Sequence, residues 1–237
     1  MAETKHAEER RRSLLDMIRR KSEGDQPKPK SGVQEVLEAV GIAILIVFII
    51  QTFIIRAFRI PSGSMEDTLL VGDFLLANKF VYGAQLPWIN VRVPGLRDPR
   101  PGDIVIFRCP DDLKKDYIKR CIAVGGQTVE IRNKTVYVDS RPQKLPPLGK
   151  HIDPRVAPAD IDPRDNYGPV VVPRNHFFCM GDNRDNSRDS RYWGFLPKKL
   201  LRGKAMVLYF SWESDPEVPL WNLAKKIRWG RIGKVIR

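Results

Sequence analysis

The chain has few of the residues that build metal and triad chemistry: three histidines and three cysteines in 237 positions. His6, His151 and His176 fall in a tail, a loop and a strand edge, and none belongs to a motif. Neither a metal cage nor a Ser-His-Asp arrangement finds support in them. Cys109, Cys121 and Cys179 are spaced unlike any zinc site. An odd count outside the cytoplasm leaves one thiol free or all three reduced, and Cys109 and Cys121 interrupt strand-like apolar stretches, so both are expected to be buried. Acid is scarce as well. Asp and Glu number 28 against 41 Lys and Arg, for a net charge of +13. Such a balance draws nucleic acid or anionic lipid. No helix-turn-helix, finger or aromatic RNA motif is present, so no nucleic acid is expected and membrane lipid is the nearer partner. Internal repeats are missing too.

What is there begins with an uncharged run from Ala39 to Ile55, interrupted by Gln51 and Thr52 and bounded by Glu38 and Arg56. Its length sits at the short edge of the roughly 17–25 residues that span a bilayer, and Val36 and Leu37 extend it. A buried core helix and a cleaved secretory signal are the competing readings. The run is long for either, starts far from Met1, and is followed by no A-x-A-like site. An uncleaved, single-pass anchor over residues 36–56 is therefore expected. Arg20, Lys21, Lys28 and Lys30 precede it, against Arg56 and Arg59 beyond. That asymmetry keeps residues 1–35 in the cytoplasm as a basic tail and exports the rest. Arg10-Arg11-Arg12-Ser13-Leu14-Leu15 lies too far from the run to serve as a twin-arginine signal.

Beyond the anchor, residues 57–220 can bury one good core. Strand-like patterns run over 74–81, 103–109, 117–124, 129–138 with a hairpin at Arg132-Asn133-Lys134, 170–180 and 204–212. Short strands punctuated by Gly and Pro predict a mainly β, antiparallel domain. Residues 141–169 hold seven prolines in 29 positions and read as an irregular insertion outside the core. Residues 221–237 carry six basic residues and no acid, with Trp221 and Trp229 among them. They read as a basic amphipathic segment lying on a membrane, or as a solvated tail packing its tryptophans on the domain.

Three segments carry chemistry. Ser62-Gly63-Ser64-Met65 places a sharp turn and a hydroxyl just past the membrane run. In Asp116-Tyr117-Ile118-Lys119-Arg120 a strand puts Lys119 on the face of Tyr117 and Cys121. A lysine buried there loses its proton readily, and a neutral amine beside a serine is a competent base; a lysine snorkelling outward is the plain alternative. The stretch Gly181–Gly194 alternates carboxylates and arginines densely enough to neutralise itself. It lacks EF-hand spacing and reads as a scaffold bracing the strand that carries the base.

In this order the segments resemble bacterial type I signal peptidases. The likeness rests on Ile60-Pro61-Ser62-Gly63-Ser64-Met65, Gly72-Asp73-Phe74, Pro101-Gly102-Asp103, Asp116-Tyr117-Ile118-Lys119-Arg120 and Gly181–Gly194, and covers about residues 33–212. It implies a serine-lysine protease on a largely β fold, anchored in the bacterial inner membrane, that removes signal peptides from exported preproteins after small residues. No metal and no cofactor are implied, and the protein export machinery is a possible neighbour. Residue by residue it makes Ser64 the nucleophile, Lys119 the general base, and Ser62 with the Ser64 N–H the oxyanion hole. Ser187 would orient the lysine amine, Asp189 and Arg191 would fix the loop by an ion pair, and Asp182 and Arg184 would support it. Two positions depart from the family pattern. Asp67 stands where a proline is usual, and Ala123-Val124-Gly125-Gly126-Gln127 replaces a Gly-Leu-Pro-Gly-Asp. A non-catalytic membrane-anchored binding protein on the same fold is the remaining alternative.

Overall fold

The computed structural model describes residues 31–83, 91, 93–213 and 223–236. The chain divides into two units, residues 1–47 and 48–237. In the first, helix α1 begins at Gly32, where the Ser31 side chain accepts from the Gln34 N–H. It ends at Ile49 and passes into a π turn over Ile50–Ile54. Together they make 23 residues, with an 18-residue window of mean hydropathy 2.5, long and apolar enough to cross a membrane. The helix thus starts before the expected 36 and stops before 56. Lys79 donates to the Gln51 and Thr52 carbonyls, satisfying acceptors that a helix end leaves open. Ile55 is already strand. Residues 1–30 of the tail expected to be cytoplasmic, including Arg10–Leu15, lie outside the described residues.

The second unit is mainly β, with eleven strands among the described residues: β1 Ile55–Arg59, β2 Asp73–Asn78, β3 Ile104–Arg108, β4 Asp116–Val124, β5 Thr128–Arg132, β6 Thr135–Val138, β7 Arg141–Pro142, β8 Tyr167–Val171, β9 His176–Met180, β10 Leu196–Pro197 and β11 Leu201–Ser211. Two antiparallel sheets result, one in the order β1-β2-β11-β3-β4-β9-β10 and one in the order β7-β6-β5-β8. The stretch 170–180, read as one strand, is two: β8 joins the small sheet and β9 the large one, separated by the turn at Pro173–Asn175. Alternation places Ile104 and Ile106 of β3 in one apolar cluster with Ile60, Met65, Leu75 and Ile118. Val105 and Phe107 face the other way, with Cys121, Cys179 and Leu196. A third cluster joins Val129, Ile131 and Val136 of the small sheet to Phe178 and Met180 of β9. All three cysteines are free thiols and buried.

Two expectations change shape. The insertion has no regular element between β7 and β8, yet it is pinned at its middle: Lys150 N–H donates to the Asp182 carbonyl and the Lys150 carbonyl accepts from Arg184 N–H. The basic C-terminal segment is not one amphipathic helix. It holds α3 (Leu223–Lys226, the short α2 being Ser190–Trp193) and a 3-10 turn at Trp229–Arg231, then pairs Val235 with Val207 of β11. Ile236 enters the first apolar cluster. Gly230 and Gly233 and the buried Asp73 carboxylate, which takes Arg231 in a two-pronged pair, favour folding back over a continuous helix. Trp229 is 62% exposed, and Trp221 lies outside the described residues.

Candidate active site

Ser64 sits in a single 3-10 turn, Gly63–Met65, capped by extended Ser62. Pro61 precedes it, so the chain enters the turn with one peptide N–H already missing. The Ser64 N–H lies in the first turn, where such a helix offers no carbonyl of its own. Met65 and Ile60 anchor the turn on either side, both sunk in the apolar cluster beneath. Lys119 projects from the middle of β4, opposite Val105 of β3. It is 3% exposed, and its amine stands 2.6 Å from Ser64 Oγ. Tyr117, two residues back on the same face, puts its ring centroid 5.2 Å from the amine. Burial lowers the Lys119 pKa to about 8, only partly opposed by the attraction of Asp189.

β9 runs beside β4, with Cys179 opposite Cys121, and delivers the loop 181–189 directly beneath the serine turn. Five contacts lock loop to turn, one of them from Asn183 Nδ2 to Glu66 Oε2 at 3.1 Å. Asn183 donates its N–H to the Ser64 carbonyl at 3.2 Å and its Nδ2 to the Gly63 carbonyl at 3.3 Å. Thr68 Oγ1 donates to Asp182 at 2.7 Å, and the Asp182 N–H meets the Met65 sulfur at 3.4 Å. Asp182 in turn holds Arg120 of β4 through two bonds of 2.8 and 2.6 Å. One carboxylate thus ties the serine turn to the strand that carries Lys119.

Asp189 and Arg191 form a buried two-pronged ion pair, both bonds 2.8 Å. Burial pushes the Asp189 carboxyl up, but Arg191 and the Gly181 N–H more than offset it, leaving it below the usual range. Arg191 also donates to the Arg164 and Arg184 carbonyls, at 2.7 and 2.6 Å. Arg184 is buried with its Nε unpartnered among the described residues, and burial lowers its pKa to about 10. Ser187 does not hydrogen-bond the lysine amine as expected. Its hydroxyl is buried, leans on the Asp189 carboxylate and makes no well-formed hydrogen bond among the described residues. A carboxylate is the stronger acceptor, and the amine is taken up by Ser64. The Ser62 side chain is exposed and makes no capping bond.

Sequence reasoning gave no role to three residues that complete this site. Asn183, fully buried, is one. Gly181 is the second: a Cβ there would collide with the Ser64 carbonyl and the Ser187 side chain. Lys150 is the third, bonded at 2.9 Å to Asp67 and 3.1 Å to Glu66. Asp67 has φ 71°, which a proline cannot adopt. The departure from the family pattern therefore changes the turn and supplies an anchor for the insertion.

The chain is similar to known proteins over most of its length. A family model described as "Signal peptidase, peptidase S26" matches residues 33–212. Signal peptidase I of Pseudomonas aeruginosa is 34% identical over 220 residues, covering 80% of this chain and 75% of that protein. The probable signal peptidase I-2 of Synechocystis is 34% identical over 200 residues, covering 82% and 81%. A crystal structure of a signal peptidase I from Enterococcus faecalis aligns with TM-score 0.37 and 26% identity, over 46% of this chain and 98% of that one. The chain belongs to the signal peptidase family, peptidase S26.

Proposed function

We propose that this peptidase cleaves signal peptides from exported preproteins with Ser64 as nucleophile and Lys119 as general base. The observation that carries the reading is the 2.6 Å contact between two buried side chains, the amine and the hydroxyl. Once neutral, the amine accepts the Ser64 proton as Oγ attacks the scissile carbonyl. The Ser64 N–H and the Ser62 hydroxyl stabilise the oxyanion that forms. Protonated Lys119 then gives its proton to the departing amine, and water, activated by the same lysine, hydrolyses the acyl-enzyme. Ser187, Asp189 and Arg191 position the loop under the turn, with Asp182 and Arg184 supporting it.

Ile60, Met65 and Ile118 flank the two reacting groups in the chain and share one packed cluster. Such a floor leaves shallow room for substrate side chains, which suits an A-x-A-like site. The span Gly32–Ile54 anchors the enzyme in the bacterial inner membrane, its amino terminus cytoplasmic and its β domain on the exported side. There the cleavage site arrives at fixed depth, beside membrane lipids and within reach of the export machinery. Incubating a preprotein with the purified full chain and with Ser64→Ala tests the reading. Cleavage is expected only from the unmodified chain, with amino-terminal sequencing placing the cut after a small residue. Equal processing by Ser64→Ala would refute the nucleophile, and no processing by either would leave a non-catalytic binding protein.

A further inference from the structure

Four basic side chains gather where the apolar span gives way to the sheet. Arg56, Lys79, Arg108 and Arg202 line a cavity of about 860 Å³ whose remaining wall includes Phe48 and Leu201. It shares no residue with the Ser64 site and plays no part in the proposed chemistry. Asp116 faces the group but meets Arg56 at 3.9 Å and Arg202 at 4.0 Å, the long limit of an ion pair. Lys79 is engaged with the carbonyls of the π turn, and burial, Arg56 and Arg202 together push its pKa down. The cavity is therefore a concentration of positive charge beside an apolar wall, with Asp116 as a facing carboxylate among the described residues.

Position narrows what such a cavity would hold. Arg56 is the first charged residue after the run that starts at Ala39, so by its position in the chain this lining residue belongs at the level where a bilayer carries its phosphates. Arginine forks match phosphate oxygens in geometry as well as charge. Among the described lining residues Phe48 is the one aromatic, so successive bases of a nucleic acid would find no row of rings to stack on. Resting on the reading of Gly32–Ile54 as a membrane span, we infer that this cavity binds the phosphate headgroup of an anionic phospholipid, held by Arg56, Arg108 and Arg202 with the glycerol against the apolar wall.

The test titrates the full chain, in neutral detergent, with short-chain phosphatidylglycerol, phosphatidylcholine and inorganic phosphate by calorimetry. Saturable binding of phosphatidylglycerol alone is expected. Arg108→Gln/Arg202→Gln should weaken it about thirtyfold, the loss of two basic contacts at a lipid surface. Arg108→Gln alone, at an exposed position, should weaken it about fivefold without risk to the fold. Lys225→Gln/Lys234→Gln removes the same charge elsewhere and should leave binding nearly unchanged. Equal loss in both double variants would overturn the site in favour of diffuse charge. Competition by inorganic phosphate at matching concentration would overturn the lipid assignment, as would absence of saturable binding. Arg108→Gln should cleave a preprotein normally in lipid-free detergent, so a failed lipid titration and a failed peptidase assignment register in separate assays.

Discussion

Lys119 is made available as a neutral amine, as the proposed role of base requires, by what surrounds it rather than by what touches it. Burial takes its pKa from 10.5 to about 8, so a substantial fraction of the amine is neutral in mildly alkaline solution. Cleavage should therefore rise with pH through a midpoint near 8 and level off above it, measured as kcat/KM across the range. A maximum on the acid side would contradict a lysine base. The same burial has a stability consequence of definite sign. Between about 8 and 10.5 the unfolded chain holds this proton and the folded chain does not. Lys119 therefore costs stability below pH 8, about 3 kcal/mol near neutrality, and the cost fades as pH approaches 10.5. Lys119→Met should be inactive yet more resistant to urea at neutral pH, with the advantage gone by about pH 10. Ser62 is a different case, because its exposed hydroxyl has no structural bond to lose. Ser62→Ala should lower kcat by about one to three decades with KM little changed, and Ser62→Thr should largely rescue it. A change in KM alone would make Ser62 a turn former.

The loop 181–194 shows how an element can be legible while its decisive atoms are not. Its alternating charges announce a self-neutralising brace, and the Asp189–Arg191 pair is the one the family resemblance implies. That Gly181 must be glycine does not. The constraint comes from backbone of the serine turn, more than a hundred residues away in sequence, lying where a side chain would go. Gly181→Ala should cost about 1–3 kcal/mol through overpacking and lower kcat by more than any accompanying change in KM, because relief of the clash shifts Ser64 from Lys119. Unfolding and cleavage measured on the same sample check both halves; full activity would mean the turn tolerates the shift. β1 escaped the strand pattern because Ile55 closes the apolar run and the four residues from Arg56 to Arg59 are too few to alternate clearly. The sequence distinguishes a helix from a strand poorly over such short apolar stretches. The insertion was readable as non-core from its prolines, but its grip on the loop runs largely through its own backbone atoms, at Lys150, Ile152, Asp153 and Arg164, which carry no sequence signature.

At the scale of the molecule, the mainly β class was plain in the short apolar run of β3 and the mixed apolar and polar runs of β4 and β5, and the apolar helix in one uncharged run, whereas the return of the C-terminal segment was hidden by its charge. Arg228 and Arg231 looked like a solvent- or lipid-facing row, yet each spends its guanidinium inside the domain: Arg228 on Glu213 at 2.7 Å, Arg231 on Asp73 at 2.6 Å. Asp73 opens β2 and is fully buried, with Ser211 of β11 donating to it at 2.6 Å. The clasp therefore joins the C-terminal segment, β2 and β11 through one carboxylate, close to the Thr68 carbonyl that Arg231 also reaches. Burial raises the Asp73 pKa, and Arg231, Ser211 and the Leu70 N–H outweigh it, holding the carboxyl below its usual range. Its contribution to stability is thus present above the unfolded carboxylate range and is lost as pH falls through the lower folded value. Arg231→Gln leaves a buried charge without its partner, which should cost about 3 kcal/mol at neutral pH. In the variant the carboxyl regains its proton at a higher pH, so acid unfolding should begin earlier than in the unmodified chain. Asp73→Asn/Arg231→Gln should recover part of the loss, since the orphaned charge is then gone. Urea midpoints unchanged by Arg231→Gln would mean that the segment merely rests on the sheet and that its basic residues are available for the membrane after all.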